Sequence, residues 1–283
     1  MKKNIFYILF SIVFSGPISF KAFDYNLNDN FYGRGDYIIV LASSQLETYL
    51  TNPNPSLGGD FVKFKNSQGF NVHGGPFKGM KFLDEVSEGC YLPKLLGIYE
   101  SELHPFIKYI VEKKPDTIIN IGSAEGYYSV GLKRLLPETN IFSYDIDLNA
   151  QNKSKILADK NDVEINIGGL FEIDMIKDFV NQNTFLICDI EGDEVDLFKE
   201  DKINLLEKVT LCVELHKKNN IHNFNIIPPL FKETHSIDII MQRGKNSFVV
   251  PDEIANLEHL DILLASWEWR SYPTPWLIAR PKI

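Results

Sequence analysis

The stretch DTIINIGSAEGYYSVGLKRLLPETNIFSYDID, from Asp116 to Asp147, decides the fold. Thr117–Ile121 is a continuous apolar run rich in β-branched residues, which suits a strand buried on both faces. A turn carrying Gly122 and Gly126 follows, then an amphipathic helical segment, then a second apolar strand with an acidic end. Glycine lets the backbone turn sharply and approach a ligand closely, and a helix N-terminus offers N–H groups to that ligand. Strand, glycine turn, helix and strand make half of a nucleotide-binding α/β unit. The spacing here is Gly-x-x-x-Gly. It is not the G-x-G-x-x-G of dinucleotide sites, because Ala124 and Tyr127 do not fit, and it is not a P-loop, because no Lys-Ser/Thr follows. A diphosphate ligand is therefore disfavoured. Asp145 closes the second strand, 23 residues after Gly122, where an acid can accept hydrogen bonds from both hydroxyls of a ribose. A nucleoside cofactor with no required pyrophosphate fits, and S-adenosyl-L-methionine is one. The bland alternative makes the glycines a tight turn and Asp145 a solvated strand end. Asp147 rivals Asp145 for the ribose, or caps the helix that follows.

Working outward, strands are expected at Thr117–Ile121, Ile141–Tyr144, Val163–Ile167, Phe185–Cys188, Val209–Leu215 and Ser236–Met241, with helical segments between most of them. Repeated alternation of apolar strand and helix means a doubly wound, mostly parallel α/β sheet. Trp276–Ala279 supplies a last strand, read as antiparallel at an edge. Upstream, PKLLGIYESELHPFIKYIVEKK (residues 93–114) has helical spacing, with a kink or a break expected at Pro105. His73–Phe82 is a glycine-punctuated loop. Asp36–Leu50 reads as a helix, Thr51–Gly59 as a linker and Phe61–Phe64 as a short strand. Lys245–Leu260 is an insertion.

A second acidic cluster stands in FLICDIEGDEVDLF, Phe185 to Phe198. An apolar strand delivers Asp189 to its carboxyl end, the side on which such sheets bind ligands. Glu191 follows. These two acids can contact the methionine end of the cofactor, orient a substrate hydroxyl or hold a divalent cation; two carboxylates alone do not make a metal site, and no metal is assigned. Asp193 and Glu194 fall in a first helical turn, where carboxylates favour the helix dipole, and are read as structural. VTLCVELHKK brings Glu214 and His216 to the end of the next strand. A histidine there can take a proton from a hydroxyl; a surface position is the alternative. His104 carries no motif, and His222, His235 and His259 are read as surface residues.

Taken in order, INIGSAEGYYSVG, FSYDID, FLICDIEGDE and LCVELH resemble the FkbM-like branch of the class I S-adenosylmethionine-dependent methyltransferases. That family shows a strand ending in Asp-x-Gly-x-x-x-Gly, a strand ending in an acid, Asp-x-Glu-Gly-x-Glu, and a strand ending near Glu-x-His. The match covers residues 115–217, and Asp189–Glu194 is its most specific part. The resemblance implies a Rossmann-like methyltransferase domain. Gly122 and Gly126 would line the methionine and ribose portions, with Asn120, Ser123 and Glu125 in the same cofactor-binding set. Asp145 would hold the ribose and Asp189 would close the site. Asn120 stands where the family usually has Asp, and Asp193 where a small residue is common. Glu125 is an added charge, facing either the cofactor's amino group or solvent. Such enzymes often methylate hydroxyls of sugars or natural products, so the implied acceptor is a small molecule or glycan. Asp189, Glu191 and His216 are the candidate bases. Trp267, Trp269, Tyr272 and Trp276 either stack on a sugar or pack in the core.

The chain has 283 residues with a formal net charge of −9. With no run of Lys and Arg, that balance argues against a nucleic-acid partner. Its three cysteines, Cys90, Cys188 and Cys212, show no CxxC spacing, so neither a disulfide framework nor a zinc site is expected. The division expected is residues 1–23 as an apolar segment, 24–114 as an N-terminal extension with helices, and 115–283 as the cofactor-binding domain. The run Ile5–Phe14 after two lysines resembles a signal peptide or a peripheral membrane anchor. A cytoplasmic location is nonetheless expected, because the cofactor is cytosolic. A nicotinamide-dependent oxidoreductase and an inert nucleoside-binding module are the competing functions. A nucleic-acid methyltransferase lacks its Asn/Asp-Pro-Pro-Tyr/Phe motif here.

Overall fold

The computed structural model describes residues 70–83, 86–87, 90–179, 183–219, 221–242, 262–263, 266–268, 270 and 272–282. The expectations for residues 1–23, Asp36–Leu50, Thr51–Gly59, Phe61–Phe64, Lys245–Leu260, His259 and Trp269 lie outside the described residues. No described helix is long and apolar enough to cross a membrane.

Seven strands form one sheet: β1 (Thr117–Ile121), β2 (Asn140–Tyr144), β3 (Asn166–Gly168), β4 (Thr184–Cys188), β5 (Thr210–Glu214), β6 (His235–Ile240) and β7 (Trp276–Pro281). Their order is β3-β2-β1-β4-β5-β7-β6. The first five run parallel, and β7 is antiparallel to both neighbours. This is the doubly wound, mostly parallel, Rossmann-like sheet that the alternation of elements requires. Chain order reverses at β1, so the crevice between β1 and β4 is the switch point at which such sheets bind ligands.

The central strands β1, β4 and β5 are buried along their whole length, which is why they read as unbroken apolar runs. Successive residues feed two cores, as the period of two in a strand demands. Ile118, Ile187, Cys212 and Ile278 face one core, with Phe106, Ile107 and Ile110 of α2 (His104–Lys113) and Val130 and Leu132 of α3 (Tyr127–Leu135). Ile119, Leu186, Val213 and Leu277 face the other, with Ile176, Ile203 and Phe231. The upstream segment is part of this body: Phe77 is buried edge-on to Tyr127, centroids 5.2 Å apart, and Val72, Met80 and Phe82 join the first core.

Three expectations change. The last strand is antiparallel, but it lies inside the sheet between β5 and β6, and β6 is the edge. The helical stretch upstream breaks at Gly97, not at Pro105. α1 (Tyr91–Leu96) ends there because Gly97 takes φ 73°, a left-handed conformation that ends helices. Pro105 sits in the first turn of α2, where no backbone N–H is needed. β3 is shorter than Val163–Ile167, because only Asn166–Gly168 finds ladder partners on β2.

Gly122 fixes the crevice. Its φ is 73°, and a Cβ there would lie 1.6 Å from the Asp189 carbonyl oxygen. Both the backbone conformation and the packing therefore exclude a side chain. Gly122→Ala is expected to lower stability by roughly 3 kcal/mol or more, read from the midpoint of urea unfolding against wild type.

Candidate active site

The carboxyl ends of β1, β2 and β4 are tied together by main chain. Gly122 and Ser123 both donate N–H bonds to the Tyr144 carbonyl, at 2.9 and 3.0 Å, and Asp189 donates to the Ile121 carbonyl at 2.9 Å. Asp145 tightens this. One carboxylate oxygen accepts from Ala124 N–H at 2.8 Å, the other from Asp147 N–H at 2.9 Å. Asp145 is thus the buried anchor of the glycine turn as well as the end of β2. Each oxygen keeps a second lone pair for another donor. Asp147 caps α4 (Leu148–Lys160) by accepting from Asn149 N–H at 3.0 Å. Gly126 faces α4, where a Cβ would meet Ser154 Oγ at 2.4 Å.

Two members of the expected cofactor set are engaged elsewhere. Asn120 is buried under the turn and donates to Ser129 Oγ at 3.0 Å. Glu125 is fully buried and does not face solvent. Its carboxylate meets Lys94 Nζ of α1 at 2.5 Å and Ser87 Oγ at 2.8 Å. Burial alone would raise its pKa, but the Lys94 charge and the hydrogen bonds from Lys94 and Ser87 hold it below the ordinary carboxylate value.

Asp189 and His216 come together beyond the carboxyl ends of β4 and β5. His216 is buried, and its Nδ1 lies 2.9 Å from Glu194 Oε1. Its Nε2 points at three carboxylates: Glu191 at 3.5 Å, Glu214 at 3.6 Å and Asp189 at 3.7 Å. Glu191 is 77% exposed, whereas the Asp189 side chain keeps a quarter of its surface open. Burial holds the Asp189 carboxyl well above its usual range, though the nearby His216 charge opposes this. For His216, burial alone would lower the pKa. The Glu194 hydrogen bond and the charges of Asp189, Glu194 and Glu191 outweigh it and lift the imidazole to about 9.

Glu194 opens a short helix, as expected, but does more there than meet a helix dipole. It is fully buried, and besides His216 it accepts from Ile190 N–H and Gly192 N–H, each at 3.3 Å, and from Asn223 Nδ2 at 2.6 Å. The helix that begins with it, Glu194–Leu197, is only four residues long. Its signal was the Gly-x-Glu close of the acidic motif. Asp193 lies outside and pairs with Lys218 at 2.6 Å. Arg270 is the second buried cation that the sequence left unmarked. It pairs with Glu100 and Glu214, and its Nε lies 3.6 Å from Glu268. Tyr128 donates to Glu100 at 2.5 Å. Arg270, Glu100 and Glu268 belong to no motif and are brought together only by folding.

Of the other residues singled out, Trp276 is fully buried in the core. Tyr272 holds Lys217, whose Nζ lies 4.5 Å from the ring centre, and Trp267 is 38% exposed. His235 is not a surface residue. It is buried, with Nε2 3.0 Å from the Val209 carbonyl oxygen and Nδ1 2.8 Å from Thr234 Oγ1. A cleft of about 510 Å³ lined by Lys133, Asn140, Lys155 and Asn166 opens at the amino ends of β2 and β3. It lies away from the glycine turn, on the side of the sheet that does not bind ligands in this architecture.

No protein-family model and no curated protein matches the chain. Similar solved structures include the O-methyltransferase TomG from Streptomyces achromogenes in complex with SAM, at TM-score 0.46 and 9% identity over 66% of this chain and 81% of that one. Another is an O-methyltransferase from Bacillus cereus in complex with SAH, at 0.44 and 9% over 84% and 96%. A third is the precorrin-6y C5,15-methyltransferase from Geobacter metallireducens, at 0.42 and 10% over 63% and 89%. Identities and scores this low fix neither cofactor nor chemistry for this chain.

Two outcomes are expected. Lys94→Met leaves Glu125 buried and unpaired, which costs roughly 3–5 kcal/mol; adding Glu125→Leu should recover much of it, as read by urea unfolding of both variants. For His216 the folded pKa is raised. Its contribution to stability is therefore complete below about 6.5 and is lost as pH rises through about 9. Stability of the ligand-free protein should fall with pH across that window, and His216→Gln should flatten the fall.

Proposed function

We propose that this protein is an S-adenosylmethionine-dependent O-methyltransferase of the FkbM-like kind, acting on a hydroxyl of a small molecule, with a sugar or glycan precursor as the favoured acceptor class. The observation that carries the reading is the convergence of Gly122, Asp145 and Asp189 at the β1/β4 switch point, on a turn that already carries carboxylates. Asp145 occupies the Ala124 N–H. A diphosphate would compete with that carboxylate for the donors of the turn, which weighs against a nicotinamide dinucleotide. A nucleoside with a cationic tail meets attraction instead. Five carboxylates with side chains no more than a quarter exposed (Glu100, Asp189, Glu194, Glu214 and Glu268) face two buried cations, Arg270 and His216. That imbalance suits a sulfonium and an ammonium group.

When bound, the cofactor supplies a methyl group already activated for in-line displacement from sulfur to the acceptor oxygen. The chain's own part is to align the two reactants and to receive the hydroxyl proton. Asp145 would accept from a ribose through the lone pairs that Ala124 and Asp147 leave free. Asp189 lines the crevice. The proton leaves into the cluster of Asp189, Glu191 and His216, where Glu194 fixes the imidazole plane through Nδ1.

Calorimetric titration with S-adenosylmethionine and, separately, with NADH tests the reading. Micromolar binding of the first alone, weakened tenfold or more in Asp145→Ala with the fold checked by circular dichroism, is the expected result. Binding of NADH alone would move the protein to the oxidoreductases, and binding of neither to a folded wild type would leave an inert module.

A further inference from the structure

The three carboxylates around His216 Nε2 make no hydrogen bond with it. The His216 side chain is 7% exposed and aims this nitrogen into the cluster, yet its contacts lie at 3.5–3.7 Å. Asp189 Oδ1 is likewise buried with no hydrogen-bond partner. Nδ1 is held by Glu194, which accepts its proton and so leaves Nε2, aimed at Asp189 and Glu214, as the nitrogen that takes an ion in exchange for its own proton. A carboxylate behind a histidine in this way is the usual support for a metal-binding imidazole. The donor atoms of Asp189, Glu214 and His216 all lie within 4.8 Å of one another. In a four-coordinate site with bonds of about 2.1 Å, donors stand about 3.4 Å apart. The observed 3.6 and 3.7 Å from Nε2 to Glu214 and Asp189 stand within a few tenths of an ångström of that value, and the two carboxylates, within 4.8 Å of each other, close the third side.

We propose that Asp189, Glu214 and His216 form a divalent metal site at the carboxyl ends of β4 and β5. One imidazole nitrogen and two carboxylates select a first-row ion such as Mn²⁺ or Zn²⁺ over Mg²⁺ or Ca²⁺, which prefer all-oxygen sites. Glu214 keeps Arg270 and Thr274 on Oε1 and offers Oε2. With Nε2 so occupied, Glu191, beside it and open to solvent, becomes the group that receives the acceptor's proton. The site stands on its own geometry and does not depend on which organic cofactor the crevice holds.

The test is calorimetric titration of the chelator-treated full chain with MnCl₂ and ZnCl₂, with pulsed electron paramagnetic resonance of the Mn²⁺-loaded protein. One ion per chain is expected, with ¹⁴N coupling from a ligating imidazole. His216→Gln should abolish the nitrogen coupling and weaken binding tenfold or more. Asp189→Asn should weaken binding similarly while keeping the coupling. Glu194→Gln should weaken it by roughly 10–100-fold. Circular dichroism checks that each variant is folded, and Asp189→Asn carries the test if His216→Gln is not. No saturable binding by folded wild type, or binding unchanged in both ligand variants, overturns the proposal. S-adenosylmethionine affinity measured on the same wild-type sample separates the two readings. Cofactor binding without metal overturns only the metal site, and metal binding without cofactor overturns only the methyltransferase.

Discussion

The approach of the Gly122 backbone to the Asp189 carbonyl is the constraint on which the site rests. It brings the ends of β1 and β4 closer than any side chain would permit. The same turn is bonded to the end of β2 through Tyr144 and Asp145. Three strand ends thus become one rigid rim. Side chains leaving that rim need little further ordering to converge, and that preorganisation lets a site discriminate between ligands.

Charge is the second theme. Lys94 and Glu125 form a closed buried pair, and such a pair adds little net stability while making either partner hard to remove. The cluster around His216 and Arg270 is different, because its acids outnumber its cations. An imbalance of that kind is costly in a fold that needs only to be stable. It is the sort of strain that marks functional sites. His216 reports it directly: an imidazole this buried would ordinarily lose its proton readily, and here it holds on to about pH 9.

The sheet was legible because burial on both faces writes itself as unbroken apolar runs, as in TIINI, TFLIC and TLCVE. The glycine turn was legible because its constraint is local. The placement of β7 was not, since nothing in a strand's own residues states which neighbour it inserts between. The break at Gly97 was masked by the stronger cue of Pro105, which is harmless in a first turn. Within the site, Asp145, Asp189 and His216 could be read from their places after strands. Glu194 was rightly placed in a first helical turn, but its hold on His216 was not legible, because that partner stands 22 residues further along the chain. Arg270, Glu100, Glu268 and Lys94 were invisible because each is defined by a partner distant in sequence, such as Glu100 for Arg270 and Glu125 for Lys94.

The position of β7 bears on how the chain assembles. Among the described strands β6 pairs with β7 alone, and β7 also covers the open side of β5. β5 therefore waits about sixty residues for its second neighbour, a long loop closure that slows folding relative to local pairings. Until β7 inserts, β5 is paired with β4 alone and its other edge is bare, and β6 has no described strand through which to join the sheet. A folding intermediate of this protein would hence be the five parallel strands with the growing edge bare, the form most prone to capture by a second unfinished chain.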